Sequence, residues 1–120
     1  MTPHVLDDSW MNNTKELLAE IKRRILAISD PEQIILFGSH ASGSAGPESD
    51  VDLLVIEEGI DAPRRESVRL RGALRGLPIA IDVLVATPKQ VERYRNSIGL
   101  IYSSILRDGK VIYERASNSR

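Results

Sequence analysis

The sequence predicts a layered α/β (α+β) domain of about four strands with helices between and around them. Three observations carry this. Short apolar runs bounded by glycine, proline or charged residues recur at 33–37 (QIILF), 51–57 (VDLLVIE), 79–86 (IAIDVLVA) and 110–114 (KVIYE); they have the length of strands rather than helices. Between them lie longer stretches whose apolar residues fall three and four apart, the helical period. The chain has 120 residues, enough for one core and too few for two. Residues 1–120 are therefore expected to form a single domain, with 1–12 and 116–120 loose.

The first helix is expected from Asn13, where Glu16 three residues on would complete a capping box. Leu17, Ile21, Ile25 and Ile28 then repeat at helical spacing, and Pro31 stops the helix. The first strand, 33–37, leads into a Gly/Ser loop and the second strand, 51–57. A helix over 62–76 follows, with Leu70, Ala73, Leu74 and Leu77 on one side and Arg64, Arg65, Arg69, Arg71 and Arg75 along it. Those arginines fit an ordinary solvated face, long basic side chains lining an exposed helix; a docking surface for an acidic partner or for phosphate is the functional alternative. The third strand, 79–86, is apolar except at Asp82. Thr87, Pro88 and Gln90 then supply a cap, a first-turn proline and a capping partner. Ile98, Ile101 and Ile105 mark a further helical segment containing Gly99, and Asp108-Gly109 turns into an edge strand at 110–114.

Composition narrows the function. Aromatic residues make up 4% of the chain, too few for a surface that stacks bases, and a net charge of -1 gives no overall pull toward nucleic acid or anionic lipid. With no cysteine there are no disulfides and no thiolate metal sites. Residues 1–14 have neither the basic nor the apolar segment of a secretory leader, and no apolar run reaches membrane-spanning length. A cytoplasmic protein is expected.

The chemistry gathers around the loop. Gly38 after a buried strand lets a phosphate approach the backbone, and Ser39 adds a hydroxyl donor; a plain strand-exit turn fits the same two residues. The P-loop is excluded because Gly43 is followed by Ser44-Ala45, and neither G-x-G-x-x-G nor G-x-S-x-G occurs. His40 beside Ser39 is therefore no sign of a triad and reads as a solvated loop histidine. Asp50 and Asp52 share one face of a strand, with Cα atoms about 6.5–7 Å apart, close enough to reach a shared cation. Left alone the two charges repel, and a hard divalent cation removes the conflict. Turn or capping aspartates beside Pro47-Glu48-Ser49 would look the same. Asp82 shifts the balance: a carboxylate in mid-strand is costly unless paired or metal-bound. Its alternative partner is an arginine of the preceding helix.

Gly38-Ser39, a ten-residue spacer, Asp50-Val51-Asp52 and a later strand carboxylate, Asp82, together resemble the nucleotidyltransferase superfamily that includes DNA polymerase β. The likeness spans residues 34 to about 86 and is closest to its minimal branch, the minimal nucleotidyltransferases often paired with HEPN-domain proteins in toxin–antitoxin modules. It implies a nucleotidyltransferase fold with a central mixed sheet flanked by helices. It further implies two Mg²⁺ ions held by Asp50, Asp52 and Asp82, with Asp82 also the candidate base, and Gly38 and Ser39 at the phosphates of ATP or another NTP. The implied reaction moves AMP onto a hydroxyl, most directly a tyrosine of a HEPN toxin that the chain silences as its antitoxin. Neutralisation by complex formation with little catalysis is the alternative, and transfer to a small molecule such as an aminoglycoside is a third reading, opposed by the lack of a substrate domain. Where many relatives carry arginines in G-S-R-A-R-G, this chain has His40 and Ser42, which lowers the positive charge near the phosphates. The edge strand and the apolar last helix could also support a homo-oligomer.

Overall fold

The computed structural model describes residues 4–42, 50–94 and 101–116. Strand β1 (Gln33–Phe37) is central and is the expected QIILF run. It pairs antiparallel with β2 (Val51–Ile56) on one side and with β4 (Lys110–Glu114) on the other. Strand β3 (Ile81–Ala86) lies parallel to β2, giving the order β3-β2-β1-β4. The sheet is therefore four-stranded and mixed, as expected, with β3 and β4 at its edges.

A parallel pair needs a crossover, and α3 (Pro63–Ala73) provides it. Pro63 occupies its first turn, where a missing N–H costs nothing. Leu70 and Leu74 are buried beneath it, with Ala73 and Leu77 half-buried, as their spacing predicts. Ser67 donates a hydrogen bond from Oγ to the Val83 carbonyl and so fixes α3 on β3. The helix is shorter than the expected 62–76; the chain turns at Leu74 and reverses through Gly76 at φ +89°, a conformation glycine adopts without strain.

Strand alternation divides the core between two faces. On one face Ile34, Leu36, Val51, Leu53, Val55, Ile81, Val83 and Val85 meet Ile21 and Ile25 of helix α1 (His4–Ile28) and Leu70 and Leu74. On the other, Ile35, Leu54, Ile56 and Ala86 meet Val91 of α4 (Pro88–Tyr94) and Ile105 of α5 (Ile101–Asp108). Burying a side chain such as Ile21 or Ile25 completely is worth roughly 1.5–3 kcal/mol. The α4 cap forms as expected: the Thr87 N–H donates to Gln90 Oε1 at 2.9 Å and the Gln90 N–H to Thr87 Oγ1 at 3.1 Å.

Two expectations are corrected here. Helix α1 begins at His4, so Asn13 lies within it and does not cap it, and residues 4–12 are helical. No proline or glycine interrupts the segment, and an asparagine inside a helix costs at most about 0.7 kcal/mol, too little to stop it. Part of the expected Gly/Ser loop is also helical: Ser39–Ser42 form the short helix α2. Strand ends differ slightly, β2 stopping at Ile56 and β3 starting at Ile81. Loop residues 43–49, Ile98, Gly99 and the tail 117–120 lie outside the described residues.

Candidate functional site

The sheet register brings two of the expected carboxylates side by side. Asp52 of β2 and Asp82 of β3 are direct partners in the parallel pair, on strands about 4.8 Å apart. Both fall on the face that carries Leu54, Ile56 and Ala86, at the end of it beyond those apolar residues. Opposite Asp52 across the antiparallel pair stands Phe37, and Gly38 follows.

Gly38 is needed there for two reasons. Its φ of +78° is one that other residues adopt with strain. A Cβ at this position would also run into Asp52 Oδ2 and lie 3.3 Å from Asp52 Cγ. The glycine after β1 thus leaves the room that the Asp52 carboxylate occupies. The backbone turns directly into α2 through an Ala41 N–H bond to the Gly38 carbonyl of 3.1 Å, which leaves Ser39 and His40 half-buried beside the aspartates.

Electrostatics mark Asp52 as the strained member. Its burial raises the carboxyl above the usual aspartate range, the charges of Asp82 and Asp50 raise it further, and His40 works against them. Negative charge is thus gathered at one strand end, where the charges of Asp82 and Asp50 oppose the ionisation of Asp52.

Asp82 differs from expectation. It is not buried in mid-strand: its side chain is 70% exposed, because β3 is an edge strand and the cover of that face ends before it. The cost of burial therefore does not explain it. The arginine alternative is present in weak form, Arg71 Nη1 reaching Asp82 Oδ1 at 4.0 Å from α3. Asp50 precedes β2 and is exposed. Among the described residues no three acidic or imidazole side chains are clustered closely enough to form a ready-made metal cage. The donor set still suits a hard divalent cation: Asp52 and Asp82 offer carboxylate oxygens side by side, and their mutual repulsion is what such an ion relieves.

Three comparisons bear on this arrangement. Residues 16–118 match the family model described as polymerase beta, nucleotidyltransferase. The chain belongs to that family. It is 34% identical over 119 residues to a "putative protein adenylyltransferase" of Methanocaldococcus jannaschii, an alignment covering 92% of this chain and 76% of the relative. The fold is also that of a crystal structure described as a "putative nucleotidyltransferase" from Sulfolobus solfataricus, with a TM-score of 0.65 and 20% identity over 89% of this chain and 86% of that one. As a member of this family the chain is an enzyme of the nucleotidyltransferase kind, and the fold read from its sequence is the one found. No helix among the described residues is long and apolar enough to cross a membrane.

Sequence reasoning missed one neighbour of the aspartates and named another only as an arginine of the helix before β3. His40 is not merely a solvated loop residue, since it acts on Asp52 from α2; its place where relatives carry arginine was the available signal. Arg71 was one arginine among five, and nothing in helical spacing separates it from the others.

A second carboxylate pair, also unforeseen, closes the far end of β2. Glu57 and Glu66 are 6% and 9% exposed. Burial, then the hydrogen bond and charge of Glu66, push Glu57 up to about 7, against a backbone hydrogen bond from Asp30 and the charge of Arg69. Glu66 moves the other way, because Arg69 donates to it twice, at 2.9 and 2.7 Å. Arg69 also donates to the Ile28 carbonyl at 2.9 Å, tying α3 to the end of α1. Glu57 Oε1 has no hydrogen-bond partner.

Proposed function

We propose that this nucleotidyltransferase moves AMP from ATP onto a hydroxyl of a partner protein, a tyrosine of a HEPN-type toxin for which the chain acts as antitoxin. The observation that carries the chemistry is the pairing of Asp52 with Asp82 across β2 and β3, with Gly38 leaving space beside it. Protein as the acceptor is favoured by the relative named a protein adenylyltransferase.

In this reading Asp50, Asp52 and Asp82 would hold two divalent ions, taken as Mg²⁺, a hard cation that suits carboxylate oxygens. Bound there, the ions would offset the charge of the triphosphate and stabilise the charge that develops during transfer. The Gly38 backbone and the Ser39 hydroxyl meet the β- and γ-phosphates. Asp82, on the exposed edge strand, stands where an incoming hydroxyl has access, and it accepts the hydroxyl proton. The acceptor oxygen forms a bond to the α-phosphorus, the bond from that phosphorus to the bridging oxygen breaks, and pyrophosphate leaves with the electron pair. No protein nucleophile is required.

The test is incubation with α-labelled ATP, Mg²⁺ and the protein encoded beside it. Label should appear on the partner and disappear with Asp50→Asn or Asp82→Asn. Should either variant label or neutralise the partner as well as the wild type does, the catalytic reading fails.

A further inference from the structure

The outer face of α3 carries a stripe that the fold does not use. Arg64, Val68 and Arg71 follow one another at helical spacing, and Arg75 continues the line into the turn beyond. All four are exposed, Val68 at 58%. Gly72, beside Val68, is exposed as well, and a Cβ there would meet nothing within 4 Å. The stripe is thus a protruding apolar side chain next to a flat backbone patch, with arginines before and after it.

Two of the helix's other charges are committed elsewhere. Glu66 and Arg69 form their pair on the side turned toward α1, where Arg69 also holds the Ile28 carbonyl. Their mutual neutralisation leaves the outer face positive, on a chain whose overall charge is -1. That positive charge is a local feature of α3, not a consequence of composition.

Position connects the stripe to the site. The Ser67 hydrogen bond to Val83 sets α3 against β3. Arg71, four residues on, comes round the open edge of β3 to 4.0 Å from Asp82. A surface lying along Arg64, Val68 and Arg75 would therefore extend to the carboxylate at which the acceptor hydroxyl arrives.

We infer that the outer face of α3 is the docking surface for the acceptor, and that the acceptor presents an acidic polypeptide surface with an apolar contact for Val68. This rests on the protein-directed transfer proposed above and names the chemistry of its partner. Arginine pairs with carboxylates through two parallel hydrogen bonds, and charge complementarity of this kind orients partners on approach. RNA, the other polyanion, would want aromatic side chains for its bases, and this stripe has none.

The test uses fluorescent glutamate–tyrosine copolymer as the probe, with binding followed by anisotropy at low and high salt. The wild type should bind it in a salt-dependent way and should not bind lysine–tyrosine copolymer. The double variant Arg64→Glu/Arg75→Glu should weaken binding by at least about tenfold, and Val68→Asp by less. Arg107→Glu, which changes an exposed arginine of α5, should bind as the wild type does. The docking idea is overturned by no binding, by equal loss in Arg107→Glu, or by polyadenylate binding as tightly through the same residues. Retained thermal melting shows that each variant folds. Mn²⁺-dependent binding of an ATP analogue reports separately on the aspartate site: its absence from the wild type would sink the reaction while leaving the docking result standing.

Discussion

The two ends of strand β2 each gather carboxylates, and they deal with the charge in opposite ways. At the Glu57 end the acids are buried, and the protein compensates them internally. Glu66 is neutralised by Arg69, and Glu57 keeps its proton to about pH 7. At the Asp52 end Asp50 and Asp82 are exposed and Asp52 is half-buried, and among the described residues His40 and a more distant Arg71 oppose their repulsion. Burial with an internal cation is how a fold tolerates acids. An open setting, with Asp50 and Asp82 exposed, is how it keeps them available to an external cation. The difference separates a structural cluster from one suited to binding.

Asp52→Asn should break this contrast most strongly. Steady-state transfer should fall about a thousandfold, the equivalent of several kcal/mol of lost transition-state stabilisation. Thermal stability, read by calorimetry, should stay level or rise, because Asp52 is a source of repulsion in the folded state. A marked fall in melting temperature would mean that the open end is structural after all.

Gly38→Ala should have the next largest effect. The new Cβ meets the Asp52 carboxylate and the backbone must hold φ +78°. Moving a reacting group by a fraction of its working distance costs about a hundredfold in rate, and the backbone strain costs about 1–2 kcal/mol of stability in denaturant titration. Equal loss of rate and stability with the Asp52 site intact would argue that Gly38 serves the turn alone.

The smallest effect is expected at the closed end. Unfolded, Glu57 releases its proton near the ordinary glutamate value of 4.5; folded, it holds it to about 7. Between those values the folded chain binds more protons than the unfolded one, so stability should decline as pH rises through that window. Above it the stabilisation is gone. Glu57→Gln should flatten the decline and gain about 1–3 kcal/mol at pH 8 in urea titrations. If the slope survives the substitution, the proton resides elsewhere in the cluster.

Much of this molecule was legible in local sequence. The strands at 33–37 and 110–114 and the Thr87–Gln90 cap depend on neighbours a few residues away, and each forms as read. The Gly-Ser, Asp-x-Asp pattern likewise carried the family, because its chemistry is set by residue types at short spacing. The start of α1 was misread because the preference of asparagine for a cap is weaker than the continuity of an unbroken helix. Glu57 and Glu66 gave no signal at all, since a glutamate at a strand end and another on an arginine-rich helix both look like solvated surface.

Periodicity and residue chemistry are local properties, so they select which residues could serve as strands, as caps and as candidate metal or phosphate ligands. What stands next to what is set by how the elements pack. The register of β2 on β3 put Asp52 against Asp82, the edge position of β3 left Asp82 open to solvent and to Arg71, and the seat of α3 buried Glu66 over Glu57. Each of those neighbours is separated by a crossover or a turn of the chain, and their meeting is settled by how α3 packs on the sheet, which no short stretch of sequence encodes.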